Sequence, residues 1–135
     1  MANTLVTFGF CWMVVGAVIG LLLAPRHERT LVELERIAAS GSLADYHRVN
    51  DGYKWNKMVH AHSFLFAVVA TTIGLALAKM NYSAAVSDGL ALALMLSPVV
   101  WTLGGLLKNR PLMAIGDIVL LVSVATAAVG MAKVL

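Results

Sequence analysis

The sequence predicts an all-α, integral membrane four-helix bundle, expected to be oligomeric, and three observations predict it. Of the 135 residues, 60% are hydrophobic and only 13% are charged, with a mean hydropathy of +0.84. Soluble domains carry about 45–50% apolar and ~25% charged residues. Four apolar runs fill most of the chain, each about the ~20 residues that a helix needs to cross hydrocarbon. The charges gather between those runs. A water-soluble globule, a disordered tail and a nucleic-acid-binding domain are therefore excluded. A net charge of +3 divided around apolar segments suits lipid headgroups, so the expected partner is the lipid bilayer, with no nucleic acid. The single cysteine, Cys11, removes internal disulfides and paired-thiol redox or metal motifs, and there is no c-type heme attachment sequence.

The first element is a helix over 5–24, free of charge, with Asn3 and Thr4 as a cap and Pro25 as a stop. It lacks the basic n-region and small-residue cleavage site of a signal peptide, so a retained helix is expected. A polar connector follows over 25–57. Within it, the stretch ERTLVELERIAA places Leu31, Leu34 and Ile37 on one face ahead of Ser40 and Gly41. That pattern fits a short helix lying on the membrane surface, or equally a soluble hairpin packed on the bundle ends. Tyr46, Tyr53 and Trp55 stand just before the second apolar run, where amphipathic rings prefer the headgroup level.

The remaining helices are expected over 58–78, 89–107 and 112–132. Pro98, in LSPVVW, removes the bond to the carbonyl of Leu94 and bends the third helix, with Ser97 available to resatisfy the backbone. The pair Gly16 and Gly20 (GAVIG), and Gly104 with Gly105, allow close helix approach. The first connector holds Arg26, Arg29, Arg36, Arg48, Lys54 and Lys57, and the third holds Lys108 and Arg110. The opposite side has only Lys79 and Lys133. The positive-inside rule puts both basic connectors in the cytoplasm and both termini outside.

His60 and His62, in MVHAHSFLF, stand inside the first turns of the second helix, where a titratable side chain is costly and marks a candidate site. A neutral imidazole still needs partners for two ring nitrogens, and a transition metal is one such partner. Residues two apart on a helix do not face each other, so the pair does not chelate one ion as an i, i+4 pair does. One histidine then binds a ligand while the other faces another helix or a subunit. Met58, Val59, Leu65, Phe66 and Val69 surround His62 with apolar side chains, a wall that suits a flat apolar cofactor better than a hydrated ion. Heme with one axial histidine is the natural candidate. The alternative is that both histidines sit at the water interface and hydrogen-bond backbone or headgroups.

Asp117, in AIGDIVLL, is the only carboxylate within an apolar run. It either accepts the N–H of a histidine, fixing the ring tautomer, or pairs with Lys108 or Arg110. Trp101, one turn after Pro98, caps a cofactor pocket or fills a gap in the bundle.

Taken together, HAHSFLF at 60–66, NRPL at 109–112 and GDIVLL at 116–121 resemble the styrene oxide isomerase family. Its members are small four-helix membrane proteins with an Ala-His-Ser sequence at the start of the second helix. An Asn-Arg precedes their last helix, which begins Gly-Asp-Ile. The resemblance implies a homotrimer that binds heme b at subunit interfaces, with His62 as the axial ligand and the metal site. It further implies ferric heme acting as a Lewis acid on the oxygen of a small apolar epoxide, giving an aldehyde without redox chemistry. The expected location is a bacterial inner (plasma) membrane. Two positions depart from the family: Val68 replaces an asparagine six residues after the axial histidine, and Trp101 falls where the family has a tyrosine. Both family residues help position the epoxide. The family's first connector is also taken to lie outside, against the charge rule.

The cofactor-binding set expected is thus His62, His60, Phe66, Leu65, Val69, Trp101 and Asp117, with heme b as cofactor. Three other readings stand beside the isomerase. They are a non-catalytic heme sensor or handling protein, an accessory subunit of a larger membrane complex, and a copper or proton transporter using the His-x-His pair.

Overall fold

The computed structural model describes residues 1–134 and contains four helices: α1 Ala2–Ser40, α2 Leu43–Leu77, α3 Ala84–Leu106 and α4 Arg110–Ala132. All four are long and apolar enough to cross a membrane, which makes this an all-helical membrane protein. The order is up, down, up, down. α1 packs mainly on α2 and α3 mainly on α4, with α2 and α3 joining the two pairs; α1 and α4 do not touch among the described residues.

The first connector differs from expectation. α1 does not end at Pro25 but runs through it for 39 residues, about 58 Å at 1.5 Å per residue, nearly twice the hydrocarbon thickness. A proline removes one donor and frees the carbonyl four residues back. Here that is Leu21, which is 74% exposed, so the loss falls on an outward face. There is no separate surface helix either. Leu34 and Ile37 are buried within the protein, and the second half of α1 pairs with the first half of α2 as an antiparallel helical hairpin.

Ser40 and Gly41 do stop α1, as expected. Gly41 takes φ 74° and its N–H donates to Ala38 O at 3.2 Å, the left-handed cap that glycine enters without steric cost. The α2 start is tied by Ser42 Oγ donating to Asp45 Oδ2 at 2.7 Å, and by Arg48 on Asp45 Oδ1 at 2.9 Å.

α2 begins about fifteen residues before its predicted start, whereas α3 and α4 begin and end within about five residues of their predicted limits. α2 starts at Leu43 because the hairpin is helical to its tip, and α3 starts at Ala84, where Ser83 Oγ accepts from Val86 N. α4 starts at Arg110, with Asn109 Oδ1 accepting from Leu112 N at 3.1 Å and Pro111 in the first turn, where no N–H is needed. Pro98 stays inside α3. Ser97 does not resatisfy the bond it removes: its hydroxyl donates to Gly116 O on α4 at 2.9 Å, so it ties two helices together.

The core lies in two clusters. One, toward the α2–α3 turn, holds Leu5, Ala70, Ile73, Leu77, Leu90 and Leu94. The other, toward the α3–α4 turn, holds Val59, Phe66, Trp101 and Met113. Buried hydroxyls among them are satisfied: Ser63 donates to Val59 O at 2.8 Å and meets Thr102 Oγ1 at 2.9 Å across the α2–α3 contact. In hydrocarbon such a bond has no competing water, and it fixes the helix register.

Candidate functional site

On α2, Asp51, Lys54, Trp55 and Met58 fall at i, i+3, i+4 and i+7, one face of a helix. On α4, Arg110, Met113, Ala114 and Asp117 repeat the same spacing. The two helices run parallel, and these eight residues line an open groove of about 700 Å³, within the size range of small-molecule and cofactor sites. Its composition is graded. Asp51, Lys54 and Arg110 form the mouth, Trp55, Met58, Met113 and Ala114 form an apolar middle, and Asp117 lies deepest on α4. The next turn of α2 beyond Met58 carries His62.

His62 Nδ1 lies 3.0 Å from Met58 O. A carbonyl oxygen only accepts, so Nδ1 carries the proton and Nε2 presents its lone pair. Nε2 has no hydrogen-bond partner among the described residues. The imidazole stacks flat on Trp101, with ring centroids 4.8 Å apart and planes 11° from parallel. Trp101 is itself 1% exposed and leans on Phe66 at 5.6 Å. Its seat exists because residue 116 is glycine: a Cβ there would lie 2.6 Å from Trp101 Cβ. The Trp101 Nε1 donor is buried and unpartnered, so one unspent donor and one unspent acceptor belong to the same stack.

His60 turns the other way. Its Nδ1 donates to Gly16 O on α1 at 3.1 Å, and a Cβ at residue 20 would lie 2.5 Å from its Cε1. Gly20 is thus a notch that admits the imidazole, while Gly16 supplies the accepting carbonyl and lets Phe64 pack close. The two histidines diverge as their spacing requires, His62 toward α3 and His60 toward α1. Both give one ring N–H to backbone, which the interface alternative predicted of them, and each leaves Nε2 available.

The rest of the expected set is dispersed. Phe66 is 1% exposed, behind Trp101, and Val59 is buried at 3%, so both belong to the core rather than to a ligand wall. Leu65 is 51% exposed, and Val69 packs on the other core cluster. The single apolar face around His62 is therefore split between core and exterior. Trp101 backs the imidazole from inside the bundle. Asp117 is exposed and makes neither contact expected of it: among the described residues it pairs with no histidine, with neither Lys108 nor Arg110, and with no hydrogen-bond donor. Val68, at the family's asparagine position, is 40% exposed.

Lys54, Arg110, Met113 and Ala114 went unrecognised as site residues in the sequence. The matched spacing of the two stripes is the signal that marks them. Trp55 Nε1 donates to Gly105 O at 2.9 Å, which fixes the indole at the junction of hairpin and bundle. The Arg110 guanidinium lies 6.0 Å from the Trp55 ring, in cation–π range.

No three His, Cys, Asp or Glu side chains converge among the described residues, so the chain offers a bare metal ion no chelate. What it offers instead is one uncommitted imidazole nitrogen, on His62, one turn of α2 beyond the residues that line the groove. No family model, curated protein or solved structure matches the chain.

Proposed function

We propose that the chain is a heme b-binding integral membrane protein of a bacterial inner membrane, with His62 as the axial ligand and the α2–α4 groove as the seat of the porphyrin. The observation that carries the reading is the state of His62. Its Nδ1–H is committed to a carbonyl and its ring is held by Trp101. Nε2 is left with a lone pair, one turn of α2 beyond a groove whose middle is apolar. A backbone-anchored imidazole with a free nitrogen is the donor that single-histidine heme sites use. The likeness of AHSFLF, NRPL and GDIVLL to the isomerase family supports the same assignment for His62.

A ferric porphyrin held by His62 would supply Lewis-acid chemistry toward the oxygen of a small apolar substrate such as an epoxide. The chain's own contribution is orientation and an apolar surface. The Met58 carbonyl and Trp101 fix the plane of the ligating imidazole. Trp55, Met58 and Met113 give the middle of the groove an apolar lining. The Asp117 carboxylate stands unpaired on the facing wall. Val68 and Trp101 remove two polar groups that the family uses to position its epoxide, so heme binding is the primary function proposed here. Epoxide-to-aldehyde isomerisation is the activity to assay on it. The groove is open on its outer side, which a neighbouring copy in the homotrimer implied by the family would cover.

The test is a visible spectrum of the protein purified in detergent after expression with added heme precursor. A Soret band is expected in the wild type and in His60→Ala, and its loss or shift in His62→Ala. A colourless wild-type protein, or an unchanged band in His62→Ala, overturns the assignment and leaves an accessory subunit as the better reading.

A further inference from the structure

We infer that Lys54 and Arg110 form a two-cation clasp at the groove mouth that holds the carboxylate edge of the bound porphyrin; the inference rests on the heme reading above. Four charged groups line the groove: Asp51, Lys54, Arg110 and Asp117. Among the described residues, neither cation forms an ion pair with either carboxylate, although Asp51 is one turn from Lys54 on the same face. Both positive charges are thus uncommitted at the mouth.

Arg110 is also badly placed for the fold alone. It is the first residue of α4, with no acidic residue in that first turn, where the helix macrodipole disfavours a cation. It nevertheless lies over Trp55, and Trp55 is fixed by its bond to Gly105 O. The guanidinium is therefore held toward the groove by a rigid neighbour, and an anion in the groove is what offsets the dipole.

The spacing along the groove suits the ligand. Lys54 lies eight residues before His62, about 12 Å along the helix axis. Heme b has the complementary shape: a central metal that takes one nitrogen, apolar ring edges, and two propionates on a single edge. Along this side of the protein the same order recurs: His62 one turn beyond the groove, Trp55, Met58 and Met113 in its middle, and Lys54 and Arg110 at its mouth.

The experiment titrates heme-free protein in detergent with hemin and, separately, with hemin dimethyl ester, whose propionates carry no charge. Soret absorbance is the readout and no turnover is needed. Two partly exposed ion pairs predict about tenfold tighter binding of hemin than of the ester by the wild type. Lys54→Gln/Arg110→Gln is expected to lose that preference while holding the ester as the wild type does. Lys57→Gln, which removes a nearby cation outside the groove, is expected to keep it. Failure of the wild type to bind either pigment overturns the heme reading itself. Binding of both pigments with equal affinity, or a preference that survives in the double variant, overturns the clasp alone. Loss of the preference in Lys57→Gln also overturns it, since diffuse surface charge then suffices. The wild-type comparison needs no variant to fold.

Discussion

Gly116→Ala places a methyl group against the residue that backs His62. The added Cβ would stand 2.6 Å from Trp101 Cβ and 3.0 Å from Trp101 Cα and N, against 3.4 Å for an ordinary contact. Two of those atoms are backbone, so no rotamer change relieves the clash, and α3 and α4 must part by about 0.8 Å. The Ser97 Oγ bond to Gly116 O, now 2.9 Å, would stretch toward about 3.7 Å, beyond hydrogen-bond range. An interhelical bond in a membrane is worth about 0.6 kcal/mol and overpacking costs about 1–3 kcal/mol. The better helix propensity of alanine returns about 1 kcal/mol. The net expectation is a loss of about 0.6–2.6 kcal/mol.

The measurement is reversible unfolding of the detergent-solubilised protein in rising SDS mole fraction, with near-UV circular dichroism reporting the packed Trp101. Gly89→Ala is the control, because a Cβ there meets nothing within 4 Å, and it should be neutral or slightly stabilising. If Gly116→Ala matches Gly89→Ala in stability and keeps the near-UV signal, the close α3–α4 contact behind His62 does not exist.

Other perturbations separate the roles of neighbouring residues. Gly20→Leu is expected to expel His60 from its notch and weaken the α1–α2 contact by about 1–3 kcal/mol, seen in SDS unfolding, while the Soret band that the proposed His62 ligation predicts is unchanged. Gly41→Ala should cost about 1 kcal/mol through φ 74° alone, since no atom lies within 4 Å of its Cβ. Gly41→Asn should cost less, and hydrogen exchange of the hairpin tip would rank the two. Asp117→Asn should leave the stability of the heme-free protein within about 0.5 kcal/mol, because the carboxylate has no partner among the described residues; a larger loss in SDS unfolding would reveal a contact absent from this structure.

Several features were legible because their causes are local. Crossing hydrocarbon demands a run of apolar residues of set length, and a run is a one-dimensional property, so the four spans could be counted directly. Gly41 was legible as a stop because few other residues take its backbone conformation. The divergence of His60 and His62 followed from helix geometry, which turns residues two apart to different sides. Pro25 misled for a related reason. Proline reports a lost donor, but not whether the freed carbonyl faces outward, nor whether a partner helix keeps the chain helical.

Which histidine faces which neighbour was decided only by packing. His60 follows the notch at Gly20 and the Gly16 carbonyl 44 residues away in sequence, and His62 follows a tryptophan on α3 that is seated by a glycine on α4. The groove shows the same division. Each of its stripes, 51–58 and 110–117, reads alone as an ordinary helix face with mixed polarity. Only the parallel alignment of α2 and α4 makes them two walls of one site, because side chains that meet across a bundle are selected by helix register and crossing, which no local run of residues encodes. Composition and periodicity therefore determined that this chain lives in a bilayer and how often it crosses. The tertiary structure decided that two cations, two carboxylates and an apolar trough share a single cleft, one turn of α2 before His62.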